Sequence, residues 1–505
     1  MERPSIRQIL VIFCATVLIL NVIALPANLW FESYLLRDPA EALGFHYLLS
    51  HGYRINLDFD YYHGLLSLLF QEFLFSILGA VNWASEINAV VMSVATAAGL
   101  AIFAYRIELG FTGFLLFLVS MPFAVLGYRG LDAVLLVHAL AQHACGRRDR
   151  ALALSTASCL AKPSMGYVYD FVLVVLIIEE LRITKSLSLP ALARSLLPAT
   201  VTATMLMLLL SAVFGRRALL TTILPLRGAA AYRAMNFGFF TGIGNHFWYF
   251  SGVHLGYYLG TPVAFWLAAT VWLLVCAARE LYDGVLVAPN VITAERLNYE
   301  IVITCALLHL SFITLCYGSL ASWLYYAYIL VMGVAATATW ARWNTWRQKS
   351  QFIAGILVLL ATFGNKAFFF TYYERWMHAT KTTETANLWA FPKERQEWIH
   401  VLQIIKGARA TLLVPISGGE LLSPEFERPV AAFLIPGQST PSEIANKAAQ
   451  LAQSDFIVMP TPLALGGAPE EVLGWWPELK KALDGTQVNF HGKYFEVYER
   501  VRSLH

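Results

Sequence analysis

The sequence predicts an α-helical polytopic membrane protein with a small C-terminal α/β domain. Three observations predict it. First, 58% of the 505 residues are hydrophobic and only 14% are charged; a soluble chain carries about 25% charge, so a water-facing surface cannot be covered. Second, residues 1–370 alternate apolar runs with short polar breaks. Third, residues 371–505 return to the composition of a soluble domain. The 14% aromatic content excludes disorder. A net charge of +3 gives no reason to expect a nucleic acid partner.

Apolar spans fall near 8–30, 64–82, 87–105, 110–127, 131–145, 151–164, 167–182, 196–214, 262–278, 298–317, 321–340 and 352–370. This gives a bundle of about 11–13 transmembrane helices. The first follows a weakly basic N-terminus and carries no small-x-small cleavage site, so it reads as an uncleaved helix with a cytoplasmic start. Several others are shorter than the roughly 20 residues that cross hydrocarbon, which suits broken helices or helices buried inside a bundle. Basic clusters at Arg147, Arg148 and Arg150, at 182–185 and at 342–349 mark the cytoplasmic side. Loops 31–63 and 215–260, and the domain 371–505, then lie outside. Twelve crossings would return the C-terminus to the cytoplasm. The charge anchors therefore require that one span between 63 and 145 does not cross.

The six cysteines lie in or beside apolar segments and form no CxxC pair. They read as small buried residues, not as a disulfide framework or zinc ligands. In the tail, β-type runs at 410–416, 430–435, 456–459 and 495–501 alternate with helical stretches at 442–453 and 470–484. Strand, helix, strand at that spacing predicts a parallel sheet. Gly418-Gly419 and Gly466-Gly467 read as turns, not phosphate loops.

The first loop decides more about function than any other segment. It holds Asp38, His46, His51, Asp58, Asp60 and His63 beside the bilayer. Residues 40–51 are long enough for a short interfacial helix, with Tyr47, Leu48 and Leu49 toward lipid. Asp58 and Asp60 are close enough to couple. A partly desolvated carboxylate there is suited to take a proton from a sugar or lipid hydroxyl as that oxygen attacks. Asp38 has a second reading, as an N-cap with Pro39 at the first helical position.

The order of these features resembles the C-type, or GT-C, glycosyltransferases, which include aminoarabinose transferase and the protein O-mannosyltransferases. The resemblance rests on an early acid in the first loop (Asp38) and on a helical stretch closing on glycine (Leu48-Leu49-Ser50-His51-Gly52). It continues in the extended segment Asp58-Phe59-Asp60-Tyr61-Tyr62-His63-Gly64 that leads into the next helix. It also takes in residues 122–136, where Asp132 follows a short external turn, and Ala161-Lys162-Pro163 at the outer end of a span. It implies transfer of a sugar from a polyprenyl-phosphate donor to a lipid, glycan or protein acceptor on the external face. The first-loop acid is then the base, and the anomeric centre is usually inverted. Pro39 stands where protein O-mannosyltransferases carry Glu, which leaves the base open between Asp38 and the Asp58/Asp60 pair. That pair resembles the DxD of metal-using oligosaccharyltransferases, but a lone DxD does not favour a cation, and no cofactor is expected.

A phosphate-bearing donor needs cations. Arg216, Arg217, Arg227 and Arg233 lie in or beside the second loop, and guanidinium binds phosphate bidentately. Arg216 and Arg217 equally suit a headgroup anchor. Lys162 sits in an apolar span, where a cation is functional by default or snorkels to the interface. The ring-rich stretch 237–258, with His246 and Trp248, suits an interfacial aromatic belt or a sugar-stacking surface. His138 and His143 read as packed residues. The competing class is a transporter of a lipid-linked or small polar substrate. It favours midplane acids and paired halves, whereas these acids cluster early and outside. A bacterial inner membrane is the expected location.

Overall fold

The computed structural model describes residues 5–32, 45–46, 48–50, 52–57, 61, 64–80, 82–108, 116, 130–224, 269–279, 281–282, 294–312, 327–338, 392–412, 428–429, 445, 448–449, 451–461 and 483–501. The predicted spans 110–127 and 352–370 fall outside these residues, save Leu116.

The helices are α1 (Ile6–Glu32), α2 (Leu65–Leu78), α3 (Asn82–Arg106), α4 (Leu131–Ala144), α5 (Arg148–Ala161), α6 (Met165–Ile183), α7 (Leu189–Phe214) and α8 (Arg216–Ile223). They continue with α9 (Ala269–Arg279), α10 (Ala294–Ser311), α11 (Ala327–Ala338) and α12 (Pro392–Ile404). Ile6–Ile23, Ala84–Arg106 and Leu189–Phe214 are long and apolar enough to cross a membrane. α4 and α5 have only 14 residues each, about 21 Å of helix, and their apolar faces are spent inside the bundle. Leu136, Val137, Leu140 and Leu152 are buried in one core with Phe13 and Val17 of α1, Leu100 and Phe103 of α3, and Ile301 and Cys305 of α10. α7 is the opposite case: Val201, Met205 and Leu208 are exposed, as lipid-facing side chains must be. It also starts earlier than its hydropathy suggests. Ser188 caps it by accepting from Ala191 N at 3.4 Å, with Pro190 in the first turn.

α2 resolves the odd count. Gly64 and Ser67 pack on Ala161, so α2 begins at the end of the bundle where α5 finishes. α3 runs parallel to α4: His138 bonds the Ala95 carbonyl at 2.8 Å, and Arg106 Nε donates to the Ala144 carbonyl at 2.9 Å. α3 therefore finishes at the end that carries Arg147, Arg148 and Arg150, and must start at the other end. Only residues 79–81 separate α2 from α3. A 14-residue helix that begins and finishes at one end has not crossed. The apolar run at 64–82 lies along the surface of the bundle, and the expectation of a span there is corrected.

At the basic end, Arg148 donates to Glu180 at 2.6 Å and to Glu300 at 2.5 Å. This ties α5, α6 and α10 together. His143 is fully buried beside them, bonded to the Tyr169 hydroxyl at 3.1 Å, which agrees with a packed residue.

The tail forms a five-stranded sheet of order β2-β1-β3-β5-β4, with β1 Arg409–Leu412, β2 Arg428–Pro429, β3 Phe456–Pro460, β4 Thr486–His491 and β5 Phe495–Arg500. β1 pairs in parallel with β2 and β3, as expected. The β4–β5 hairpin adds antiparallel to β3, so the sheet is mixed. Trp398 and Val401 of α12 pack on Val458, Phe495 and Val497 as a separate core. Glu397 of α12 accepts from Lys493, Tyr494 and Phe495 N at 3.0, 2.7 and 2.7 Å. That carboxylate holds the helix to the hairpin.

Candidate functional site

The end of the bundle opposite Arg148 carries its own small apolar core. Phe45, Leu48, Ile55 and Tyr61 of the first loop meet Leu65 and Leu68 of α2, Leu160 of α5, Leu210 of α7, and Ala218 and Leu219 of α8. Three stretches distant in sequence, 45–68, Leu160 and 210–219, thus converge there, and among the described candidate residues Lys162, Arg216 and Arg217 lie on or beside them.

The first loop is built by short-range rules. Residues 45–46 and 48–50 are helical, within the helix expected at 40–51. Gly52 N donates to the Leu49 carbonyl and Tyr53 N to the Leu48 carbonyl, each at 3.0 Å. With Gly52 at φ +82°, this is a helix end closed by a left-handed glycine. The chain then turns through Asn56, whose φ of +55° is also left-handed. Asn56 Oδ1 accepts from Tyr61 N at 2.8 Å. The backbone N–H can only donate, so Nδ2 faces the other way, where it donates to Thr221 Oγ1 of α8 at 2.8 Å. The Tyr61 ring stands edge-on to Phe45, with centroids 4.8 Å apart. Both stems of the Asp58–Asp60 segment are therefore fixed against α8 and the loop helix. Asp58 and Asp60 themselves lie outside the described residues, as do Asp38, His63, Arg227, Arg233, His246 and Trp248.

His46 Nδ1 lies 2.8 Å from Glu72 Oε2 of α2, with its ring edge-on to Phe75. Burial raises the Glu72 carboxyl above its ordinary range, and the His46 bond only partly offsets this.

Ser158 bonds the backbones of both Asp132 and Lys162. Its hydroxyl donates to the Asp132 carbonyl at 3.1 Å, and its own carbonyl accepts from Lys162 N at 2.9 Å. Asp132 sits in the first turn of α4 and is fully buried; Lys162 caps α5 and is 9% exposed. One residue before Lys162, the Ala161 carbonyl accepts from Ser67 Oγ at 2.8 Å. Gly64 touches the same backbone so closely that a side chain has no room. Arg216 and Arg217 open α8 after the Gly215 turn and are exposed, while Ala218, Leu219 and Thr222 face inward. Tyr167 at the start of α6 donates to the Ile223 carbonyl at 2.5 Å and closes the ring of elements.

Sequence reasoning passed over three residues here. Glu72 was absorbed in an apolar run taken as a span. Asp170 of α6, held by Thr156 Oγ1 at 3.1 Å, is an acid in a hydrophobic helix and was legible by that rule alone. Asn56 gives only a faint signal, as a residue type that tolerates the left-handed region.

No family model matches the chain, and no curated protein matches it. Among solved structures it is similar to ArnT from Cupriavidus metallidurans bound to undecaprenyl phosphate, with 11% identity over 98% of each chain and a TM-score of 0.46. It is similar also to ArnT from the same organism in the apo state, with 14% identity over 94% of this chain and 96% of that one and a TM-score of 0.39. Likeness of this degree describes a general resemblance in shape, and the functional reading below rests on the residues instead.

Proposed function

We propose that the chain is a membrane glycosyltransferase that moves a sugar from a polyprenyl-phosphate donor to a lipid, glycan or protein hydroxyl. The carrying observation is the placement of Asp132, Lys162 and the Arg216–Arg217 helix at one end of the bundle, with both stems of the Asp58–Asp60 segment. Burying the acid Asp132 and the base Lys162 costs a bundle more desolvation than apolar residues in the same place. Their retention at the end that also carries exposed arginines suits a phosphate-bearing lipid.

The chemistry follows from charge. The phosphate is drawn to Lys162, Arg216 and Arg217, with Arg227 and Arg233 from the same loop. A first-loop carboxylate, Asp38 or one of the Asp58/Asp60 pair, takes the acceptor's hydroxyl proton. The freed oxygen bonds to the anomeric carbon from the face opposite the phosphate. The bond from that carbon to the phosphate oxygen breaks, the configuration inverts, and the lipid phosphate leaves with its charge met by the cations. His63, His246 and Trp248 complete the sugar side. No metal is required in this scheme. By the positive-inside rule the Arg148 end is cytoplasmic, which puts the site and the C-terminal domain on the external face of a bacterial inner membrane.

The test is transfer in vitro by purified protein in lipid, with a panel of polyprenyl-phosphate sugars and detection of the freed lipid phosphate. Release that depends on the acceptor supports the reading. Solute uptake into vesicles without any glycosyl transfer would replace it with a transporter.

A further inference from the structure

We infer that Asn56 is a positioning residue that ties the two stems flanking the Asp58–Asp60 segment to the Arg216–Arg217 helix. The inference rests on the proposed function for its chemistry, and on geometry alone for the tie.

Three observations carry it. Asn56 has φ +55°, a left-handed conformation that asparagine is among the few non-glycine residues to adopt. A turn indifferent to side chain would take glycine there, as position 52 does. Its amide is used at both ends: Oδ1 holds Tyr61 N, and Nδ2 reaches Thr221 Oγ1, 165 residues away in sequence. Finally, the two ends of this bridge fall beside the two charge sets. Asn56 and Tyr61 bracket the segment with Asp58 and Asp60, and Thr221 Oγ1 donates to the Arg217 and Ala218 carbonyls at 2.9 and 3.0 Å. One side chain thus joins the backbone of the acid segment to the first turn of the arginine helix. The apolar contacts of the same core are non-directional. The amide bridge is directional and sets the register of the two elements.

The bridge needs a side-chain acceptor for Tyr61 N and a side-chain donor to Thr221 Oγ1. Asn56→Gly keeps the left-handed backbone accessible and deletes both side-chain bonds. Thr221→Val removes the acceptor on α8, and Thr221→Ser keeps it. The experiment uses the full chain in lipid nanodiscs with two readouts. Hydrogen exchange by mass spectrometry follows peptides over residues 52–64 and 215–224. Asn56→Gly and Thr221→Val are each expected to speed exchange about tenfold in both peptides, the equivalent of one lost bond, and Thr221→Ser is expected to match wild type. In the transfer assay, the first two variants are expected to lose about a hundredfold in kcat, as a misplacement of about 1 Å does, with donor KM within about threefold. Thr221→Ser is expected to restore kcat. Exchange that rises only in the peptide carrying the substitution overturns the tie. A donor KM that rises at unchanged kcat overturns the positioning role. A wild-type protein that transfers no sugar while both peptides respond together removes the proposed function and leaves the tie standing.

Discussion

Gly64→Ala separates contact from conformation at the centre of the site. Gly64 has φ −74° and ψ 140°, which any residue adopts, so the substitution carries no backbone strain. The obstacle is space. A Cβ at this position would lie 2.5 Å from the Ala161 carbonyl oxygen, and closer still to the Leu160 oxygen and the Ala161 carbonyl carbon. Ordinary contact begins near 3.4 Å, so the start of α2 has to retreat by roughly 1 Å from the end of α5. Overpacking of this kind costs about 1–3 kcal/mol, and the upper part of that range applies because the neighbours are backbone. The retreat also stretches the Ser67–Ala161 bond, worth about 1 kcal/mol. A loss of about 2–4 kcal/mol is expected. The same displacement moves Lys162 away from the first loop, for a fall of about a hundredfold in transfer. Thermal unfolding in detergent and the transfer assay read the two effects. Gly52→Ala is the control: its φ is +82° and a Cβ there would meet no heavy atom within 4 Å, so only strain of about 1–2 kcal/mol is added. Gly64→Ala protein as stable and active as wild type would refute the close packing of α2 on α5.

Arg148→Ala takes the guanidinium away from the buried Glu300, which keeps His143 Nε2 at 3.6 Å, and is expected to cost about 3 kcal/mol; a melting curve in detergent superimposable on wild type contradicts this. Glu397→Ala frees three backbone N–H groups at the β4–β5 turn and is expected to destabilise the tail by about 2–4 kcal/mol, seen as faster hydrogen exchange over 486–500; unchanged exchange there speaks against the anchor. Burial raises the Glu72 carboxyl, so its contribution to stability is present at low pH and lost as pH rises through its folded-state pKa. Glu72→Gln is therefore expected to flatten the melting profile as pH rises above the ordinary carboxylate range, and an unaltered slope removes the effect.

The membrane class was legible because charge is scarce throughout residues 1–370. The basic clusters imply that one apolar run between 63 and 145 does not cross. They do not show which one. Hydropathy cannot separate a helix that crosses from one that lies on the bundle with an apolar face inward, and the answer lay in two long-range bonds, Arg106 to Ala144 and Ser67 to Ala161. In the tail, β1, β3 and β5 were visible as apolar runs. β4 was not, because Thr486–His491 is an edge strand with mostly outward side chains, and its pairing turned the expected parallel sheet into a mixed one. At the site, the glycine closure at Gly52 followed from local pattern and Lys162 from the cost of charge in an apolar span, while Asp132 entered through the resemblance and its burial is set by the fold. Asn56 followed from none of these, because its partner on α8 is set only by the fold. The first-loop acids remain known from the sequence, with the structure supplying their stems.

The central claim is that a first-loop carboxylate at the end opposite Arg148 makes the new glycosidic bond. Its most direct measurement compares Asp38→Asn, Asp58→Asn and Asp60→Asn with wild type in single-turnover transfer from a polyprenyl-phosphate sugar, each confirmed as folded by its melting curve. At least one is expected to lose transfer by a factor of about a thousand or more, within the range that removal of a general base gives, while still binding the donor. Three folded variants that all transfer at the wild-type rate would contradict the claim.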